Sequence, residues 1–402
     1  MGSTPRGALA GIRVVDVTQV MAGPFCTMML ADFGADVIKI EPPAGDMTRR
    51  MPGGINGDTP AYNAVNRGKR SVVLDLKTQA GRDAVTLLAD SADMFAENSR
   101  PGVMQAFGLD YPTLSARNPR LIYASISGYG QTGPDRNKGG LDLIAQGVSG
   151  IMSVTGESGG RPVKSGIPLT DLGAALFAVT GILAAVAHRH RTGRGQHVET
   201  SLVEAGVALS VWEATEYFSG AGVPGPLGSA HRMVAPYQAI QCADGYVTIG
   251  ASNDRLFARL CEALGHPEWA AMTEFADNPS RVRHRAALAA RIESVTRERP
   301  KRFWLEAFEA RDIPCGPINS YADVFADAHI VDREMVVDVE HPTLGAMRAL
   351  GSPIKMSDTP PSVRRRAPRL GEHTEEVLLE AGLPPAAVAD LVRRRVKGQS
   401  HP

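Results

Sequence analysis

The chain has 402 residues, of which 43% are hydrophobic and 21% charged, which excludes wholesale disorder and allows two or three globular domains. Its 43 basic residues balance its 43 acidic ones, so the net positive field of a dedicated nucleic-acid binder is missing. The cysteines Cys26, Cys242, Cys261 and Cys315 lie far apart with no C-x-x-C, which excludes a disulfide scaffold and a zinc ribbon and suits a reducing, cytoplasmic compartment.

The start, Met1-Gly-Ser-Thr-Pro-Arg-Gly7, has no apolar core of the secretory kind. Residues 12–18 then form a β-branched run, 25–33 carry helical spacing, and 35–40 form a second strand. The alternation repeats with a strand at 71–76, a helix at 79–89 and a strand near 92–96. A further strand at 121–126 enters the loop Ser127-Gly-Tyr-Gly-Gln-Thr-Gly-Pro134. Strands alternating with helices predict a mostly parallel sheet covered on both faces. From Thr170 a long apolar helix runs to about His190. Its basic last turn and Gly193 mark a helix C-terminus. The apolar run 174–187 is shorter than the ~20 residues of a membrane span, so no membrane association is expected.

Residues 219–230 are rich in Gly and Pro and read as a loop or linker. A strand is expected at 246–251, helices at 253–264, 281–298 and 301–310, and a hairpin at 336–350. The tail from Arg364 is basic and then helical through Leu391.

Several catalytic signatures are missing: a P-loop, a G-x-G-x-x-G after the first strand, H-E-x-x-H and G-x-S-x-G. His188 and His190, two apart on a helix, diverge and cannot share a metal, so none is expected. Asp171, in Gly166-Ile-Pro-Leu-Thr-Asp-Leu-Gly173, stands at the entry to the long apolar helix. A carboxylate there can simply cap the helix. When partly dehydrated beside glycine-rich backbone, it can also attack an activated carbonyl. Arg67, Lys69, Arg70, Lys77 and Arg100 follow or end predicted strands, where an open α/β sheet binds ligands.

Taken together, the motifs resemble the class III CoA-transferase family, which includes formyl-CoA transferase and α-methylacyl-CoA racemase. The matching stretches include Gly11-Ile-Arg-Val-Val-Asp-Val-Thr18, Ala22-Gly-Pro24, Asp32-Phe-Gly-Ala-Asp-Val-Ile-Lys-Ile-Glu41 and Asn66-Arg-Gly-Lys-Arg-Ser71. Leu74-Asp-Leu-Lys77, Glu97-Asn-Ser-Arg-Pro-Gly102, Asp171 and Thr192-Gly-Arg-Gly-Gln-His-Val198 follow in the family's order. Ile313-Pro-Cys-Gly-Pro-Ile318 and Leu370-Gly-Glu-His-Thr374 complete the set.

The resemblance implies a large Rossmann-like open-sheet α/β domain with a smaller α+β domain, in an interlocked, ring-like homodimer. It sets the large domain at 1–200, completed by 331–402, with a linker at 201–224 and the small domain at 225–330. The implied reaction is reversible exchange of CoA between an acyl-CoA and a free carboxylate. CoA is then a substrate, and no cofactor is held permanently. Asp171 matches the catalytic aspartate, which passes through an acyl-aspartyl anhydride and an aspartyl-CoA thioester. CoA-binding positions match at Met21, Ala22, Leu74, Lys77, Asn98, Ser99, Arg100, Lys138, Gly139, Gly140 and Leu141. Pro42 stands where some formyl-CoA transferases carry an arginine.

Racemases of the family match a Gly-His-Asp motif where this chain reads Gly140-Leu-Asp142. Leucine cannot transfer protons, which disfavours epimerisation. A non-catalytic CoA-binding protein is a further alternative, against which the retained Asp171 counts. The stretch Gly228-Ser-Ala-His-Arg-Met-Val-Ala-Pro-Tyr237 replaces the glycine run of formyl-CoA transferases and resembles the succinyl-CoA:glutarate branch. Succinyl-CoA as donor and a short dicarboxylate as acceptor are therefore expected. Arg50 (or Arg49), His231, Arg232 and Tyr237 are candidates for the second carboxylate.

Overall fold

A computed structural model describes residues 7–398 apart from 56–57 and 343. The reading of the first six residues, and Thr343 in the expected hairpin, lie outside the described residues. The chain divides into two compact units. The first comprises Met1–Ile151, Ser165–Ala214 and Ala328–Pro402, and the second Met152–Lys164 and Thr215–Asp327.

In the first unit, β1 (Arg13–Asp16), β2 (Asp36–Glu41), β3 (Arg70–Val73), β4 (Met94–Glu97), β5 (Ile122–Ser127) and β6 (His197–Ser201) form one parallel sheet. Their order is β3-β2-β1-β4-β5-β6, the arrangement of a doubly wound fold. The connecting helices are α1 (Ala22–Asp32), α2 (Pro60–Asn66), α3 (Gln79–Asp90), α4 (Val103–Ala106), α5 (Tyr111–Arg117), α6 (Asp142–Val148), α7 (Ile151–Val154) and α8 (Leu169–Thr192). After β6 come α9 (Leu202–Leu209) and α10 (Val211–Phe218).

The two-residue period of the strands sorts their side chains between two cores. Val14, Val37, Met94, Ile122 and Ala124 pack with Leu30 of α1 and Ala174, Ala178 and Ile182 of α8. Val15, Ile38, Val72, Phe95 and Tyr123 face the other way, onto Val85 and Leu88 of α3 and onto Val377 and Leu378 of the helix Thr374–Glu380. The C-terminal segment thus closes one face of the first unit. Arg70 fastens it by reaching Glu376 at 2.9 Å and Glu380 at 3.0 Å.

By length and composition α8 could cross a membrane. Its row of small residues is instead buried against α1 and the sheet, so it is a core helix. Arg189 near its end pairs with Asp93 at 2.9 Å, and Gly193 closes it at φ 72°.

The second unit holds an antiparallel sheet of β7 (Tyr237–Cys242), β8 (Gly245–Gly250) and β9 (Cys315–Pro317). It is backed by α11 (Asp254–Ala263), α12 (Asn278–Arg283), α13 (Arg285–Thr296) and α14 (Lys301–Glu309). Ile240, Val247, Phe257, Leu260, Ile292, Trp304 and Phe308 form its core.

Two expectations need correction. Residues 201–224, read as a linker, contain α9 and most of them up to Phe218 are helical. Ala205 and Leu202 bury into the α1–α8 core, which a linker would not do. The single helix expected at 281–298 is two, because the chain leaves helical geometry at His284 (φ −103°, ψ 23°).

Candidate active site

The strand order reverses between β1 and β4, and an open sheet binds ligands at such a switch point. The loops leaving these two strands are tied across it. Asn98 accepts the Gln19 N–H at 2.8 Å and donates its amide to the Gln19 carbonyl at 2.7 Å. Val20 lies at φ 70°, an unusual backbone for a β-branched residue, just before Met21 and Ala22. The strain is held from below by a buried ionic layer. Lys39 pairs with Asp46 at 2.9 Å and donates to the Thr18 carbonyl at 2.8 Å. Lys69 pairs with Asp16 at 3.0 Å and donates to the Pro24 carbonyl at 2.9 Å. Burial pulls Lys69 down to about 8, against the opposing charge of Asp16.

These contacts also reassign several cations read from sequence as ligand candidates. Arg67 pairs with Asp32 at 2.7 Å, Lys69 with Asp16, and Arg70 with Asp36 at 2.6 Å, and all three arginine or lysine side chains are buried. Lys77 remains exposed after β3, beside the buried Leu74.

Asn98, Ser99, Arg100, Lys138, Gly139, Gly140 and Leu141 line one cavity of about 270 Å³. Two glycines make its shape possible. Gly128, after β5, and Gly140 lie back to back, and a Cβ on either would collide with the other's Cα. A Cβ on Gly139 would lie 2.8 Å from Nη2 of Arg100. The guanidinium therefore rests on the bare backbone of the 138–141 loop.

That loop leads directly into Asp142, the first residue of α6. The Asp142 Oδ1 accepts the Thr170 N–H at 3.0 Å and the Thr170 hydroxyl at 2.7 Å. Its Oδ2 accepts from the Gln146 amide at 2.7 Å, and Gln146 in turn accepts the Ser165 N–H at 2.8 Å. The start of α8 is capped by a carboxylate from another helix, since its own N-cap position, Pro168, makes no side-chain cap.

Asp171 is consequently released from capping. It occupies the first turn of α8, and among the described residues no donor reaches its carboxylate. Burial, reinforced by the charge of Asp142, raises its pKa to about 6. A half-buried carboxylate that is mostly ionised at neutral pH and unencumbered by donors has the properties of a nucleophile. Sequence reasoning missed Asp142, although the Gly140-Leu-Asp142 motif was in view for its missing histidine. Leu141 beside it is 70% exposed, so an apolar side chain stands where a racemase would need a proton carrier.

The four substrate candidates divide between the units. Arg50 is exposed on a short 3-10 turn, whereas its neighbour Arg49 is buried, pairs with Glu41 at 2.7 Å and lies 3.5 Å over the Tyr62 ring. In the second unit the His231 and Tyr237 rings meet edge-on at 5.1 Å, and Met233 N–H donates to His231 Nδ1. Arg232 faces Glu216 at 3.5 Å and donates to the Gly225 carbonyl.

The loop after β4 and the 138–141 loop thus meet in one cavity, and the second of them leads through Asp142 to the start of α8, where Asp171 stands. The chain belongs to CoA-transferase family III, whose model matches residues 9–374. It is 44% identical over 389 residues to the succinyl-CoA:mesaconate CoA-transferase of Haloarcula marismortui, covering 94% of this chain and 97% of that protein. It is 40% identical over 380 residues to the succinate–glutarate CoA-transferase of Agrobacterium fabrum, covering 92% and 95%. Among solved structures, a CAIB/BAIF family protein from Brucella suis superposes with a TM-score of 0.84 at 39% identity, over 94% of this chain and all of that one. The chain is a class III CoA-transferase for which CoA and acyl-CoA are substrates, with no permanent cofactor expected.

Proposed function

We propose that the enzyme moves CoA reversibly from succinyl-CoA to a short dicarboxylic acid, with Asp171 as nucleophile. The observation that carries this reading is the Asp171 carboxylate, free at the start of α8 because Asp142 takes over the capping. The carboxylate attacks the donor's thioester carbonyl, the C–S bond breaks, and CoA leaves as thiolate with Asp171 held in a mixed anhydride. The thiolate then attacks the Asp171 carbonyl, expelling the donor carboxylate and leaving an aspartyl-CoA thioester. An acceptor carboxylate repeats both steps in reverse. The thioester energy is thereby kept in successive acyl bonds. Met21, Ala22, Leu74, Lys77, Asn98, Ser99, Arg100 and residues 138–141 would hold the CoA.

Relatives named for succinyl-CoA with mesaconate, and for succinate with glutarate, support the dicarboxylate assignment. Arg50, His231, Arg232 and Tyr237 are the candidates to meet the second carboxylate, which needs cations or several donors once dehydrated. The test is to incubate the enzyme with succinyl-CoA and paired mono- and dicarboxylates of equal length, following new thioesters by mass spectrometry. Dicarboxylates should be preferred by roughly tenfold or more in kcat/KM, because the pocket's polar groups go unpaired with a monoacid. Equal use of the monoacids would overturn the dicarboxylate assignment and leave the transferase chemistry standing.

The chain is also proposed to act as an interlocked homodimer in the cytoplasm. Leu176, Phe177 and Leu183 on α8 and Leu143, Ile144 and Val148 on α6 are all exposed. So many large apolar side chains open to solvent on two packed helices support a permanent partner. Light scattering on the eluting protein should give twice the chain mass, and a monomer at micromolar concentration would refute it. The four cysteines are free, three of them buried, in keeping with a reducing compartment.

A further inference from the structure

Arg136 was not singled out in the sequence, yet its surroundings give it a function. It lies in the turn Pro134-Asp135-Arg136-Asn137-Lys138, where Asp135 pairs with Lys138 at 2.8 Å. That pairing uses the turn's only acid and leaves Arg136 with no ion pair among the described residues. Arg100, on the opposite loop, has none either. Both arginines line the 270 Å³ cavity beside the 138–141 loop, and both also line an adjoining cavity of about 470 Å³.

The two cavities differ in charge. The larger one has the acidic residues Glu97 and Asp110 in its lining, and the Asp110 Oδ1 is buried without a hydrogen-bond donor. An anion would be repelled from that side. The smaller one has no acidic residue in its lining. It offers Arg100, Arg136, the Ser99 and Ser127 hydroxyls and the glycine backbone of the 138–141 loop. Arginines without acidic partners, facing a carboxylate-free cavity floored by bare backbone, are the arrangement that recognises phosphate.

We infer that Arg136 and Arg100 together clamp a phosphate group of CoA on the smaller cavity's side of their shared wall. The inference rests on the reading that residues 98–100 and 138–141 hold CoA. The clamp fixes the carrier end of the substrate, so it sets affinity for every acyl-CoA alike and leaves the chemistry at Asp171 untouched.

The test compares wild type with Arg136→Gln and Arg136→Lys by calorimetric titration with CoA, dephospho-CoA and pantetheine, together with kcat and KM for succinyl-CoA. For Arg136→Gln, the CoA Kd and the succinyl-CoA KM should rise roughly tenfold or more, the range for a hydrogen-bonded charge. The kcat should stay within about twofold, and Arg136→Lys should recover part of the affinity. The ligand series locates the phosphate. If the penalty vanishes with dephospho-CoA, the clamp holds the 3′-phosphate. If it persists there and vanishes with pantetheine, the clamp holds the diphosphate. A penalty that persists with pantetheine, or an unchanged CoA Kd in Arg136→Gln, overturns the clamp. Failure of wild type to bind CoA while Asp171-dependent turnover is intact would instead overturn the site reading beneath it.

Discussion

Asp171→Ala is expected to abolish CoA exchange, by roughly a thousandfold or more, while raising the protein's stability. Both effects follow from one carboxylate. As the proposed nucleophile it has no substitute in its neighbour Asp142, which is committed to Thr170 and Gln146. As a buried charge it weakens the fold, because burial and Asp142 raise its pKa from 3.8 to about 6. With the folded value above the unfolded one, the native state holds the extra proton, and that stability is lost as pH rises from about 4 to 6. At neutral pH the ionised group therefore costs about 2–3 kcal/mol. The alanine variant should unfold at higher urea than wild type at pH 7, and the gain should disappear at pH 4. Wild-type kcat should fall below about pH 6, and Asp142→Asn should move that limb to lower pH by removing the neighbouring charge. Near-normal turnover in Asp171→Ala would end the covalent mechanism.

Lys69→Met should cause the largest loss of stability, about 3–5 kcal/mol. The side chain is wholly buried, and its ammonium touches Asp16, Asn66 and the Pro24 carbonyl at 2.9–3.0 Å. Removing it strands the Asp16 carboxylate at the end of β1 with one cation fewer. Asp16→Asn combined with Lys69→Met should recover part of the loss, because no uncompensated charge is then left. Urea titration of the three variants measures this directly. A Lys69→Met midpoint equal to wild type would mean that the ionic layer does not hold the ends of β1 and β2 together.

The main sheet was legible because strands buried on both faces read as continuous β-branched runs, as in Val14–Val15 and Val37–Ile38. β6 was not, since it is an edge strand whose first four residues, His197 to Thr200, alternate exposed and half-buried. The Gly- and Pro-rich stretch at 219–230 drew attention as a boundary and hid the helices just before it. Asp171 could be found from its place before an apolar helix and from the family motif. Its partner Asp142 could not, because the bond to Thr170 joins residues 28 apart. For the same reason Arg67, Lys69 and Arg70 looked like ligand cations: their acids lie 35, 53 and 34 residues away. Charge spacing along a chain reveals helical neighbours only.

The larger part of the second unit, Thr215–Asp327, is inserted between β6 and the helix Thr374–Glu380, and that placement governs the order of assembly. During synthesis the sheet's strands emerge first, yet the residues that cover Val72 and Leu74 come some three hundred positions later. Until then the ribosome-bound chain presents an uncovered apolar sheet face, with Arg70 lacking Glu376 and Glu380. Contacts this distant in sequence close slowly and expose intermediates to aggregation. The second unit has its own core and can form while the first is still waiting. The first unit is therefore completed only after most of the second has been made, and loss of the helix Thr374–Glu380 would remove a wall of the fold rather than an appendage.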